Sequence, residues 1–184
     1  MDNKSIRNLN HIIKSDGTQE WYLNGQLHRD SDKPAIISSD GTQRWYKYDM
    51  FHRDGNKPAI ISSDGTHKWY KNGRLHRDDD KPAIIYPDGT QEWYKYDQQH
   101  RDNDSVDRGK PAIIKPDGTQ EWYQNDMLHR VNDKPAIIFS DGTQKWYQNG
   151  ELHRDGDKPA IIKPDGTQQW YQNGELQEKI GNME

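Results

Sequence analysis

Two kinds of apolar pair alternate along the chain, Ile-Ile and Trp-Tyr, and polar residues fill the stretches between them. Ile36-Ile37 precedes Trp45-Tyr46, Ile60-Ile61 precedes Trp69-Tyr70, and the alternation runs from Ile12-Ile13 to Trp170-Tyr171. An Asp-Gly-Thr triplet separates each Ile pair from the Trp-Tyr pair after it, starting at Asp16, Asp40, Asp64, Asp88, Asp117, Asp141 and Asp165. The step is 24 residues, except for 29 between Asp88 and Asp117. A fixed period of this size marks a repeat architecture in which each unit contacts mainly its neighbours. β-Branched and aromatic pairs favour strands, and Asp-Gly favours a turn, so each repeat is expected to be a β-hairpin with strands of about five residues.

The chain opens on an Ile pair and closes on a Trp-Tyr pair, which sets the phase. The expected organisation is a polar lead over 1–10 and one repeat domain over 11–184. Its seven hairpins fall at about 12–25, 36–49, 60–73, 84–97, 113–126, 137–150 and 161–174. Segments of the type Leu-His-Arg-Asp-x-Asp-Lys-Pro join one hairpin to the next. Ser or Pro precedes each Asp-Gly, which fits a three-residue loop with Gly in the left-handed region; a two-residue Asp-Gly turn is the alternative. A second turn is expected at Asn24-Gly25 and its equivalents, which include Tyr48-Asp49 and Tyr96-Asp97. Neighbouring residues in a strand face opposite sides, so both faces of the sheet carry apolar groups. The expectation is therefore all-β: an elongated, solenoid-like stack of seven antiparallel hairpins in a strongly twisted sheet, with connector residues such as Leu27 and Leu75 covering one side. The longer fourth connector, around 102–109, is expected to form a surface loop, either a tolerated insertion or a partner contact.

Composition changes this picture in three ways. Leu, Ile, Val and Phe total only 27 of 184 residues, so the core must be thin and built largely from the seven Trp, the ten Tyr and the Ile pairs. The 26 basic and 30 acidic residues nearly balance, so no strong field favours nucleic acid or a membrane surface, and both are disfavoured as partners. The absence of cysteine excludes disulfides and thiolate metal sites. Residues 1–15 have no apolar run of signal-peptide length and no segment approaches a membrane span, so the chain reads as soluble and cytoplasmic.

The segment Asp-Gly-Thr-Gln-Glu-Trp-Tyr-Leu-Asn-Gly-Gln-Leu-His-Arg, residues 16–29, and its copies, most clearly 141–154, resemble MORN-type repeats, in particular their shorter bacterial and viral variants. The resemblance covers about 165 residues. It departs where the family commonly places Gly after His, since Arg follows here, and where Pro-Ala replaces a later Gly. The resemblance implies stacked β-hairpins in a twisted sheet and a role as an interaction or scaffold module; lipid binding has been proposed for some members. It carries over no catalytic residue and no cofactor.

The candidate chemistry lies in six His-Arg pairs: His28-Arg29, His52-Arg53, His76-Arg77, His100-Arg101, His129-Arg130 and His153-Arg154. One pair accompanies each connector, and the seventh repeat reads Gln177-Glu178 instead. Loss where no repeat follows points to bridging between neighbours, with Asp30, Asp32, their equivalents and the repeat carbonyls as candidate guanidinium partners; the rival reading is an anion- or partner-binding row. Successive His should lie about 10 Å apart, two strands at about 4.8 Å each, too far for a shared metal, and no metal is expected. The Trp ladder (Trp21, Trp45, Trp69, Trp93, Trp122, Trp146 and Trp170) is read as core. Its rival is a cation–π cage of the kind found in choline-binding repeats. Nothing supplies a nucleophile with a positioned base, so no enzyme is expected. The functional expectation is a non-enzymatic scaffold or protein-interaction module. Self-association through the sheet ends and a carbohydrate, choline or anionic-polymer ligand are the further options.

Overall fold

The structure is a computed structural model that describes residues 8–101 and 109–178. The expected loop at 102–109 lies outside the described residues except for Gly109, as does most of the polar lead. The described residues are all-β, in antiparallel hairpins without a helix. They fall into two compact units, Met1–Pro87 and Asp88–Glu184.

Each compact unit has an open sheet in which Ile-Ile strands alternate with short strands beginning at Gln or His. In the first, the order is Leu9–Ile13, Gln19–Leu23, Ile36–Ile37, Gln43–Arg44, Ile60–Ile61, His67–Lys68 and Ile84–Ile85, each antiparallel to the next. In the second it is Gln91–Glu92, Ile113–Ile114, Gln120–Glu121, Ile137–Ile138, Gln144–Lys145, Ile161–Ile162 and Gln168–Gln172, with Glu175–Gln177 at the end. One register serves the joint between repeats as well as the hairpin. Ile36 lies opposite Glu20 of the preceding repeat and Arg44 of its own, and Ile60 opposite Arg44 and then Lys68.

The Asp-Gly turn resolves to the three-residue loop. Gly41 N–H donates to the Ser38 carbonyl (2.9 Å) and Ser38 N–H to the Thr42 carbonyl (2.9 Å), with Gly41 at φ 87°. A β-carbon is disfavoured there, which is why the triplet keeps its Gly. The Asp40 carboxylate accepts from Thr42 N–H (2.9 Å) and Thr42 Oγ1 (3.0 Å), and the Thr42 hydroxyl oxygen in turn accepts from Ser63 N–H (3.1 Å). The turn is thereby tied to the turn of the next repeat.

One expectation is corrected. The Trp-Tyr strand is not a continuous run of five residues in the middle repeats, and each repeat holds two hairpins rather than one. The chain leaves the main sheet at Trp45, whose N–H donates to the Ala59 carbonyl of the next repeat (2.8 Å) and whose carbonyl accepts from His52 N–H (3.2 Å). Beyond it, Tyr46–Lys47 pairs with Met50–Phe51 in a separate ribbon, and Tyr70–Lys71 pairs likewise with Arg74–Leu75. The connector leucines expected as cover, Leu27 and Leu75, are strand residues in such ribbons. Two successive left-handed residues close each ribbon, Asn72 (φ 51°) and Gly73 (φ 79°) in the Asn-Gly form and Tyr48 (φ 52°) and Asp49 (φ 64°) in the other. This geometry matches the twist of a two-residue hairpin. A third left-handed pair lies in the connector, as at Ser31 (φ 64°) and Asp32 (φ 55°).

The core is a file of Ala, Trp and Ile. The alanine before each Ile pair but the first (Ala35, Ala59, Ala83, Ala112, Ala136, Ala160) is fully buried, and the five inner tryptophans are 4–7% exposed. Trp21 and Trp170, in the outermost repeats, are only half-buried. Burying an indole removes on the order of 150–250 Å² from water, so the Trp file supplies much of the apolar burial in a chain this poor in Leu and Val. Ala59 also pairs through its backbone on both sides, donating to the Lys68 carbonyl and accepting from Trp45 N–H. Close-packed interiors do not absorb added volume. Ala59→Leu should therefore cost about 1–3 kcal/mol, read as a lower midpoint of thermal unfolding. Gln26→Leu at an exposed ribbon position should stay within about 0.5 kcal/mol of the parent.

Candidate functional site

The connectors gather most of the polar residues singled out in the sequence. Each connector Arg sits over the ring of the Trp eight residues before it. The guanidinium carbon is 3.6 Å from the ring centroid for Arg29 on Trp21 and 3.8 Å for Arg53 on Trp45 and Arg77 on Trp69. In the second compact unit it is 3.9 Å for Arg101 on Trp93, 3.7 Å for Arg130 on Trp122 and 3.8 Å for Arg154 on Trp146. Trp170 has Glu178 at that offset. The same guanidinium donates from Nη1 to a proline carbonyl at the end of its connector, as Arg53 does to Pro58 (3.3 Å) and Arg101 to Pro111 (3.1 Å). The Trp indole N–H reaches the preceding connector, donating to the Asp32 carbonyl from Trp45 (3.1 Å) and to the Asn56 carbonyl from Trp69 (3.0 Å).

The Nε of Arg53, Arg77 and Arg154 points to a side chain 21 residues earlier. Arg53 donates from Nε and Nη2 to Asp32 (2.6 and 3.1 Å), and Lys57 adds a third donor (2.6 Å). Arg154 and Lys158 hold Asp133 in the same way (2.7, 3.1 and 2.7 Å). Arg77 donates to Asn56 Oδ1 (2.8 Å). One guanidinium thus joins its own connector, its own Trp and the connector before it. The Arg53 and Lys57 cations hold the Asp32 carboxyl well below the usual carboxylate range. Arg154 and then Lys158 bring Asp133 down to about 2.

The imidazoles turn to a nearer acid. Nε2 of His28, His52, His76 and His153 lies 2.9–3.0 Å from the Asp two residues on, with Nε2–H as donor. Nδ1 of His129 and His153 accepts from the backbone N–H of Asn149 (3.2 Å) and Asn173 (3.1 Å) in the next ribbon turn. His28 instead stacks on Tyr48, with ring centroids 4.5 Å apart. His100 precedes residues outside the described set; its backbone N–H donates to the Trp93 carbonyl (3.2 Å). The two unrepeated histidines are placed by aromatic contacts, His11 stacked on Trp21 (4.4 Å) and His67 edge-on to Trp69 (6.0 Å). No cluster of three metal-binding side chains occurs among the described residues.

Grooves lie between consecutive connectors. One of about 370 Å³ is lined by His28, Asp32, Trp45, Arg53, Asp54 and Lys57, among others; its counterpart around His129, Trp146 and Arg154 has the same volume, and one between His52 and Arg77 measures about 290 Å³. Lysines and aspartates stand together on their walls. On the opposite face of the sheet, Lys14 pairs with Glu20, which accepts from the Tyr22 hydroxyl (2.7 Å), and Glu121 is placed likewise between Lys115 (2.7 Å) and Tyr123 (3.1 Å).

Sequence reasoning separated the Trp file from the His-Arg row, whereas the structure joins them. The signal was present in the constant offset of eight residues from Trp to Arg. The proline carbonyls fall within the expected class of repeat carbonyls; the lysines that share the carboxylates were missed, because residue type alone does not show that they reach Asp32 and Asp133. No family model matches the sequence, and no curated protein matches it. What the fold defines is a hairpin-repeat protein. No helix among the described residues is long and apolar enough to cross a membrane.

Arg77→Ala should lower the unfolding midpoint by the equivalent of about 1–3 kcal/mol, since it uncovers Trp69 and leaves Asn56 and the Pro82 carbonyl without their donor. Arg77→Lys should fall short of wild type, lacking the planar fork, and Glu178→Ala should melt like wild type. The depressed carboxyls set a pH dependence. A group whose folded pKa lies below its unfolded value stabilises above the unfolded value and loses that contribution as pH falls through the folded one. For Asp133 the window runs from about 3.8 down to about 2. Asp133→Asn keeps an acceptor for Arg154 and loses the charge. Its midpoint should lie below wild type at pH 7, and the gap should close as pH drops through that window in thermal melts.

Proposed function

We propose that this chain is a non-enzymatic repeat module of the MORN type, acting in the cytoplasm as a scaffold or protein-interaction surface. The supporting observation is a division of labour within the repeat. Residue types kept from copy to copy, the Trp, the connector Arg and His and the Asp-Gly-Thr triplet, bond to their own or a neighbouring repeat. At the ribbon turn the types change and face solvent. The position after the ribbon turn is Gln26, Met50, Arg74, Gln98, Met127, Glu151 and Glu175, all exposed, and the first turn position switches between Asn and Tyr48 or Tyr96. Each compact unit thus presents exposed apolar side chains on a braced framework, Tyr48 and Met50 in one, Tyr96 and Met127 in the other. Exposed aromatic and Met side chains are favoured in protein interfaces.

The connector grooves favour a second reading, a module for a carbohydrate or an anionic polymer. A choline cage fits less well, since the ring face that a quaternary ammonium would use carries the chain's own guanidinium. One comparison separates the readings. Tyr48→Asn with Met50→Gln installs residues used at equivalent positions of other repeats, so folding should be unchanged. A partner cross-linked to the wild-type chain in its own cell should be lost from this variant. Retention of that partner, with loss in Asp54→Asn and Lys57→Gln instead, would move the contact to the connector grooves.

A further inference from the structure

The repeats act as controls for one another, and one joint departs from the rest. Arg53, Arg77 and Arg154 each find an acceptor 21 residues back, in Asp32, Asn56 and Asp133. For Arg130 that position is Gly109. The equivalence is structural as well as numerical, because Trp122 donates its indole N–H to the Gly109 carbonyl as Trp146 does to Asp133. Arg130 is otherwise seated like the others, on Trp122 and on the Pro135 carbonyl (3.2 Å). Its Nε is buried and has no hydrogen-bond partner among the described residues. The neighbouring imidazole is altered in the same direction, since Val131 stands where Asp30, Asp54, Asp78 and Asp155 receive Nε2 of the other histidines. Two carboxyl-bearing positions are thus lost at one joint while both cationic or donor side chains are kept. Burial lowers the pKa of the Arg130 guanidinium, as it does for Arg29 and Arg77.

We propose that this joint is a carboxylate-binding site, in which Arg130 takes from a ligand the acceptor that Asp32 and Asp133 supply from within the chain elsewhere. The internal examples give the geometry: one carboxylate across Nε and Nη2 of a guanidinium that the Trp ring and proline carbonyl already hold in place. A planar fork prearranged in this way favours a planar two-oxygen acceptor. The ligand class is a small free carboxylate or the acidic side chain of a partner protein.

The test follows the Arg Nε–H resonances of the full chain in ¹H–¹⁵N spectra, with Arg130 assigned through Arg130→Lys. The probes are sodium acetate and the blocked peptide acetyl-Gly-Asp-Gly-amide, each against sodium chloride at matched ionic strength. Arg130 should shift saturably with acetate while Arg53 and Arg154 do not. Gly109→Asp should restore the internal acceptor and raise the acetate midpoint at least tenfold; Gly109→Asn, which copies the acceptor at Asn56, serves if the first variant does not fold. Saturation by the peptide as well would point to an acidic side chain as ligand, and saturation by acetate alone to a free carboxylate. The proposal is overturned if Arg130 moves no more than the other arginines, or if the Gly109 variant titrates like wild type.

Discussion

The repeat depends on a guanidinium laid on an indole. A bare Trp face at the edge of a thin sheet would leave apolar surface in water, and an Arg beside it would leave a charge without fixed partners. Stacked, each covers the other, and the stack aims the remaining N–H groups at a proline carbonyl and at the preceding connector. The contact combines apolar cover, cation–π attraction and directed hydrogen bonds. An isolated exposed ion pair would contribute about 0–1 kcal/mol. Arg53 is different, because its side chain is only 14% exposed and three sets of partners fix it.

Much of this was legible in the sequence. The period, the hairpin, the Asp-Gly loop and the turn at Asn-Gly follow from residue types whose backbone preferences are strong. The loss of the pair beside Gln177-Glu178 led to an expected bridge between repeats, without telling which connector's acid the Arg would meet. The break of the strand at Trp45 was not legible. Trp and Tyr both favour strands, and what decides against a continuous strand is a tertiary bond, Trp45 N–H to the Ala59 carbonyl of another repeat. A sequence also does not show which of two acids an Arg selects. Asp30 and Asp32 look equivalent in one dimension, yet the left-handed pair Ser31-Asp32 turns one toward Arg53 and leaves the other to His28.

The two ribbon-turn chemistries show a local rule bent for a side chain. Asn and Gly accept left-handed backbone readily, whereas Tyr48 adopts it against a steric penalty of roughly 1–2 kcal/mol. The ring then rests on His28, which offsets part of that penalty. Under the proposed interaction role, a half-exposed residue held at such a cost would serve a surface contact.

The short sequence span of the bonds between repeats, 13 residues from Asp32 to Trp45 and 25 from Asp32 to Lys57, bears on how the chain folds. Contacts so close in sequence cost little loop entropy, so any adjacent pair of hairpins could serve as a nucleus. The regularity of the repeat creates a hazard. Ile60-Ile61 presents nearly the same edge as Ile36-Ile37, so a strand could dock one whole repeat out of place, or onto another chain, with most of its bonds intact. Misassembly of this kind is a recognised failure of repeat proteins. The unequal spacing between Asp88 and Asp117, with Gly109 in place of an acid and Val131 in place of another, gives the chain one joint that no other can imitate, and a shift of register past it forfeits the match.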